Sequence, residues 1–181
     1  MSSENNLLPL PDTLLRPMVE QALSEDLGRR GDVTSAAVIT PDKTAKLFLV
    51  SRKDGVIAGM DLARLAFQTM DPSVRFQAEI QDGQAVCVGQ TLATIAGNAR
   101  ALLAVERTAL NYLTHLSGIA TATAHAVAEV AGYNVDIVCS RKTIPLLRVL
   151  QKYAVRAGGG VNHRMGLDLS LIHISEPTRP Y

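Results

Sequence analysis

Apolar residues recur at helical spacing from Asp12 to Leu27: Leu14, Leu15, Met18, Val19, Ala22, Leu23 and Leu27. Pro17 falls early enough to be tolerated, and Gly28 ends the helix with Arg29 and Arg30 near its C-terminus. Gly31 to Ser35 reads as a tight polar turn. Ala45 to Ser51 and Gly55 to Ala58 read as strands, Met60 to Met70 as a short amphipathic helix, and Val74 to Glu79 as an alternating strand. Between Ile80 and Gly97, short apolar runs are punctuated by Asp82-Gly83, Gly89 and Gly97, the pattern of a small β-sandwich or half-barrel. A long helix is expected from Arg100 to about Ala131, with Gly118 a break or close-packing point. Asn134 to Val138 is a short β-branched strand. Cys139-Ser140-Arg141-Lys142-Thr143 follows it, then a Pro145-led helix to about Ala157 that Gly158-Gly159-Gly160 ends.

From Asp168 onward no earlier periodicity continues. Residues 168–181 look like a translated sequencing adapter, so they are expected to be a non-native tail, and His173 is no catalytic candidate.

Composition narrows the function classes. The 181 residues carry 18 Lys+Arg against 17 Asp+Glu, a net charge of +1, which argues against a nucleic-acid coat or a polybasic membrane binder. Hydrophobic residues at 47% and charged residues at 19% make a globular chain. Aromatic residues at 4%, with no Trp, supply few base-stacking platforms. Cys87 and Cys139 form no C-x-x-C pair, the N-terminus lacks signal-peptide character, and no apolar run suits a membrane span. The expectation is a soluble cytoplasmic protein with no nucleic-acid or membrane partner.

The candidate chemistry is cationic. Arg141 and Lys142 sit after a strand and before a helix, where an α/β fold gathers its active-site side chains and a helix N-terminus attracts anions. A solvated turn is the alternative there, with Thr143 as a helix cap. Taken alone, His163-Arg164 after the glycines reads as an ordinary exposed loop behind a helix C-cap, and Glu106-Arg107 as an intrahelical or surface ion pair. His115 and His125 read as packing or surface residues. No Cys/His cluster, P-loop or nucleophile elbow is present. Together Arg107, Arg141, Lys142, His163 and Arg164 suit a small polyanion bearing carboxylates and phosphates.

Four motifs in order carry a closer resemblance: Glu25-Asp26-Leu27-Gly28 with Gly31-Asp32-Val33-Thr34-Ser35, then Glu106-Arg107-Thr108-Ala109-Leu110-Asn111 with Leu116-Ser117-Gly118, then Ser140-Arg141-Lys142-Thr143, and then Lys152-Tyr153-Ala154-Val155 with Gly158-Gly159-Gly160-Val161-Asn162-His163-Arg164. Over roughly residues 12–167 the chain resembles the quinolinate phosphoribosyltransferases, the decarboxylating nicotinate-nucleotide pyrophosphorylases. Cys139-Ser140 stands where that family often has Asp-Thr, and Leu146 where Gly is usual after Pro.

The resemblance implies an α+β N-terminal domain over residues 1–112, then the beginning of an incomplete α/β barrel over 113–167. It implies an enzyme that joins quinolinate to phosphoribosyl pyrophosphate with Mg²⁺, releasing pyrophosphate and CO₂ to give nicotinate mononucleotide for NAD biosynthesis. Arg107, Arg141, His163 and Arg164 would then hold the quinolinate carboxylates, and Ser140 and Lys142 the phosphoribosyl pyrophosphate side. A homodimer or larger homo-oligomer follows in the same way, with Arg107 serving the neighbouring subunit. The family's second half supplies the carboxylates for Mg²⁺, so no metal ligand and no turnover are expected of these residues alone. Alternatives are a molybdenum-operon pyrophosphorylase-like paralogue of the same fold, or a non-enzymatic anion- or RNA-binding module. His163-Arg164 follows a helix, which in a simple barrel would set it at the face opposite Arg141.

Overall fold

The computed structural model describes residues 7–169. Helix α1, Asp12–Leu27, forms where its periodicity places it and buries Leu15, Val19 and Leu23, with Pro17 inside it. The expected turn at Gly31–Ser35 instead opens a short helix, α2, Val33–Val38. Asp32 is the reason: its carboxylate accepts from the Ser35 N–H at 2.9 Å and from the Ser35 hydroxyl, which caps the helix. The Ser35 hydroxyl, then the Ser35 N–H, hold the Asp32 carboxyl below the usual carboxylate range.

Five strands follow: β1 Thr44–Val50, β2 Gly55–Val56, β3 Arg75–Ala78, β4 Ala85–Val86 and β5 Thr91–Asn98. They form two small antiparallel sheets, one ordered β1-β5-β3 and one of β2 with β4. Helix α3, Met60–Met70, packs on α1 and buries Leu62, Leu65, Ala66 and Phe67. Helix α4, Ala99–Glu129, is capped by the Asn98 side chain and buries Leu102, Val105, Ala109, Leu113, Leu116 and Ala120 along one face. Gly118 neither breaks α4 nor makes a close contact, because a Cβ there would meet nothing within 4 Å. The expected domain boundary at residues 112 and 113 falls inside this unbroken helix.

After α4 the chain begins a β/α unit. The strand expected at Asn134–Val138 is reduced to a single parallel bridge between Val138 and Val161. Helix α5, Arg148–Ala157, crosses between the two bridge residues. It starts later than Pro145 because Leu146 adopts φ 67°, a left-handed conformation that interrupts a helix. Thr143 does not cap α5; Leu147 stands at the N-cap with no side-chain bond. At the other end Gly158 allows α5 to end against α4, since a Cβ at Gly158 would lie 2.2 Å from the Ala120 carbonyl oxygen.

Leu146 is 83% exposed, so it gains little packing for its conformation. The left-handed state costs a non-glycine residue about 1–2 kcal/mol. Glycine's extra unfolded-state entropy returns about 0.5–1 kcal/mol of that. Leu146→Gly is therefore expected to stabilise the chain by about 0.5–1 kcal/mol, read as a raised urea midpoint at unchanged slope.

Candidate anion-binding site

The site grows from the Val138–Val161 bridge. The Val161 N–H donates to the Ile137 carbonyl at 2.8 Å, and the Cys139 N–H donates to the Val161 carbonyl at 3.0 Å. These are the two slanted bonds of a parallel ladder. Arg141 lies three residues beyond Val138, and Arg164 three residues beyond Val161. Both arginines therefore follow the bridge on the same side and by the same number of residues. That overturns the expectation that His163-Arg164 would face away from Arg141. The return turn is completed within Gly158–Gly160, so Val161 is already on the second strand and His163 is past it.

Arg141 is half-buried, and its Nε is buried without a hydrogen bond among the described residues. A buried donor left unpaired costs about 1–3 kcal/mol, so an acceptor is called for there. Ser140 and Lys142 are exposed, and the Ser140 hydroxyl accepts from the Lys142 N–H at 3.1 Å. His163 is half-buried. Half-buried Arg164 donates from one terminal nitrogen to the Leu169 carbonyl at 3.2 Å.

Arg107 is placed elsewhere. It is exposed on α4 and lines a groove of about 750 Å³ with Arg52, Lys53 and His125. No residue of the Ser140–Arg164 stretch lines that groove. Among the described residues Arg107 forms no ion pair with Glu106, which as its chain neighbour points to a different side of the helix.

Residues on α5 also reach the site. Buried Lys152 donates from Nζ to the Cys139 sulfur at 2.8 Å and to the His163 carbonyl at 2.9 Å. Arg148 donates from Nε to the Thr143 hydroxyl at 3.1 Å and from a terminal nitrogen to the Met165 carbonyl at 3.1 Å. Gln151 accepts from the Ile144 N–H at 3.0 Å, and its amide nitrogen lies 3.0 Å from His115 Nε2. Sequence reasoning gave none of the three a role. The one available signal was the i, i+4 spacing of Arg148 and Lys152, which puts both on one side of a helix.

Both cysteines are free thiols, and among the described residues no group of three or more His, Cys, Asp or Glu side chains could hold a metal ion. Among them, too, no helix is long and apolar enough to cross a membrane.

A small α+β domain followed by a β/α unit closed by one parallel bridge, with Arg141 and Arg164 just past that bridge, has the layout of the first part of an α/β barrel. Two family models describe it further: the N-terminal domain of quinolinate phosphoribosyl transferase matches residues 32–117, and its C-terminal domain matches residues 119–175. The chain belongs to the quinolinate phosphoribosyl transferase family. It is 45% identical over 158 residues to a probable nicotinate-nucleotide pyrophosphorylase [carboxylating] of Synechocystis, covering 87% of this chain and 53% of that protein. It is 44% identical over 160 residues to the nicotinate-nucleotide pyrophosphorylase [carboxylating] of Mycobacterium leprae, covering 87% and 56%. The NadC structure from Streptococcus pyogenes superposes with TM-score 0.86 at 37% identity, covering 88% of this chain and 56% of that one. The nicotinate-nucleotide pyrophosphorylase structure from Francisella tularensis gives TM-score 0.83 at 34% identity, covering 92% and 59%. The chain thus spans about half the length of the curated relatives it matches. The C-terminal match continues past Leu167, where the foreign tail was expected to begin; residues 170–181 of that tail lie outside the described residues.

Proposed function

We propose that this chain supplies the pyridine-dicarboxylate side of a quinolinate phosphoribosyltransferase site. The observation that carries the reading is the equal register of Arg141 and Arg164, together with the unpaired Nε of Arg141. Two guanidinium forks on segments joined by a parallel bridge suit a ligand with two carboxylates on neighbouring ring atoms. His163 adds a donor beside them. Ser140 and Lys142, exposed on the same arm, serve the phosphoribosyl pyrophosphate.

Held this way, the ring nitrogen is oriented towards the anomeric carbon, which converts an encounter into an intramolecular-like step. The nitrogen forms its bond to that carbon as the bond to the diphosphate oxygen breaks. Cationic side chains stabilise the charge gathering on the leaving group. Loss of the 2-carboxylate as CO₂ leaves an electron pair beside the cationic ring nitrogen, and a proton then takes its place. Mg²⁺ enters the proposal only as the companion of the diphosphate substrate. The described residues do not form a site for it, and no step is routed through it. The relatives' names agree with this chemistry, and a cytoplasmic homodimer or larger homo-oligomer belongs to the same proposal.

Calorimetric titration of the chain with quinolinate, nicotinate and an RNA oligomer tests the reading. Quinolinate is expected to bind more tightly than nicotinate, with no RNA binding. Arg141→Lys should weaken quinolinate binding about tenfold or more, because the fork is lost while the charge is kept and each charge-assisted bond is worth about 1.5–3 kcal/mol. An unchanged quinolinate affinity in Arg141→Lys removes Arg141 from the carboxylate site.

A further inference from the structure

Arg141 and Arg164 lie on short arms that extend beyond a single bridge pair, so the bridge alone does not fix how far apart their guanidiniums stand. The nearest element with side chains directed at both arms is α5. Lys152 joins Cys139 of the first arm to the His163 carbonyl of the second. Arg148 joins Thr143 of the first arm to the Met165 carbonyl of the second. The two rungs bracket the arginines. On the first arm, Arg141 lies between Cys139 and Thr143; on the second, Arg164 lies between His163 and Met165. Lys152 is 1% exposed, a position that an ammonium group occupies only when its hydrogen bonds are met. Arg148 reaches its two acceptors with two different nitrogens of one rigid plane, a donor spacing that a single lysine ammonium does not offer.

We infer that Arg148 and Lys152 are positioning residues: a two-rung clamp from α5 that sets the spacing of Arg141 and Arg164, and so selects a ligand with two neighbouring carboxylates over one with a single carboxylate. The inference rests on the proposed quinolinate reading. Its physical content is that a displacement of about 1 Å between two charge-assisted contacts costs a ligand that needs both far more than one that needs either.

Lys152→Met, Arg148→Met and Arg148→Lys in the whole chain test it by two measurements. Amide hydrogen exchange at Cys139 and Val161, the two bridge N–H groups, should speed up about tenfold in each variant while Ile95 in the centre of β5 stays unchanged. Quinolinate affinity should fall about tenfold and nicotinate affinity should change less than about twofold. Removing Arg141 first should abolish the effect of Lys152→Met on quinolinate, since the two act as one unit. Arg148 is half-buried at the start of α5, so its variants carry the test should Lys152→Met fail to fold.

Folded Arg148 variants in which quinolinate and nicotinate weaken in proportion would overturn the clamp. So would unchanged exchange at Cys139 and Val161 in the Arg148 variants, or an Arg148→Lys protein that keeps the parent's preference for quinolinate. If the parent chain shows no preference for quinolinate over nicotinate, the quinolinate reading falls, and the exchange rates then judge the clamp separately.

Discussion

Asp82→Ala is expected to lower the unfolding free energy by about 3 kcal/mol and the melting temperature by about 6–12 °C. Asp82 is half-buried in the turn before β4, and its carboxylate serves two elements at once. It accepts from the Gly59 N–H at 2.9 Å and the Met60 N–H at 3.0 Å, capping α3. Gly59 has no side chain to do this, and its φ of 103° is the left-handed conformation that glycine tolerates. The same carboxylate accepts from the Tyr153 hydroxyl of α5 at 2.8 Å. Burial, then the Asp82 charge, push the Tyr153 hydroxyl well above its usual range, so it stays a donor at neutral pH. Alanine removes the cap, about 1 kcal/mol, and strands the hydroxyl of a tyrosine only 8% exposed, about 2 kcal/mol more. Tyr153→Phe in the Asp82→Ala background should then cost nothing further, or return some stability, whereas in the parent it costs about 1 kcal/mol. Urea unfolding of the four proteins checks this; equal costs of Tyr153→Phe in both backgrounds would show that the contact contributes nothing. Because Tyr153 neighbours Lys152, this contact also docks the helix that carries the proposed clamp.

Asp82 shows where sequence reading stops. The Asp82-Gly83 turn was legible, because glycine supplies the positive φ that the turn needs, 85° at Gly83. The partners of the carboxylate were not, because they lie on α3 and α5 and only the folded chain brings them near. Helices α1, α3 and α4 were legible from periodicity within a residue or two, since each buries one continuous face. Helix α2 was missed because Gly31-Asp32 reads as a turn, and a capping aspartate uses the same residues. Gly118 was over-read: a glycine in a helix interior signals close approach only if something approaches. The cations themselves were legible as residue types, but their arrangement was not. A helix between Arg141 and His163 suggested opposite faces, and only the parallel pairing of Val138 with Val161 shows that the second strand has already begun.

Arg107 is left without a place in that arrangement, and its groove gives the second large prediction. Continuing this chain beyond Leu167 with the downstream sequence of the Synechocystis relative should give an active dimer; Arg107→Ala or Arg164→Ala in it should each be nearly inactive. Arg107 is exposed on α4, in a groove with Arg52 and Lys53 that excludes the Arg141–Arg164 arms. If it serves quinolinate, it does so most directly in a neighbouring subunit. Each site of a symmetric dimer would then combine one subunit's Arg107 with the other's Arg141 and Arg164. A heterodimer of the two inactive proteins would carry both lesions in one site and leave the other whole. With random exchange at equal concentrations half the dimers are mixed, so about a quarter of all sites regain the full set. Activity rising towards that level on mixing, with exchange followed by native mass spectrometry, is the expected result. Full exchange with no return of activity would mean that Arg107 acts within its own subunit, or not on substrate at all.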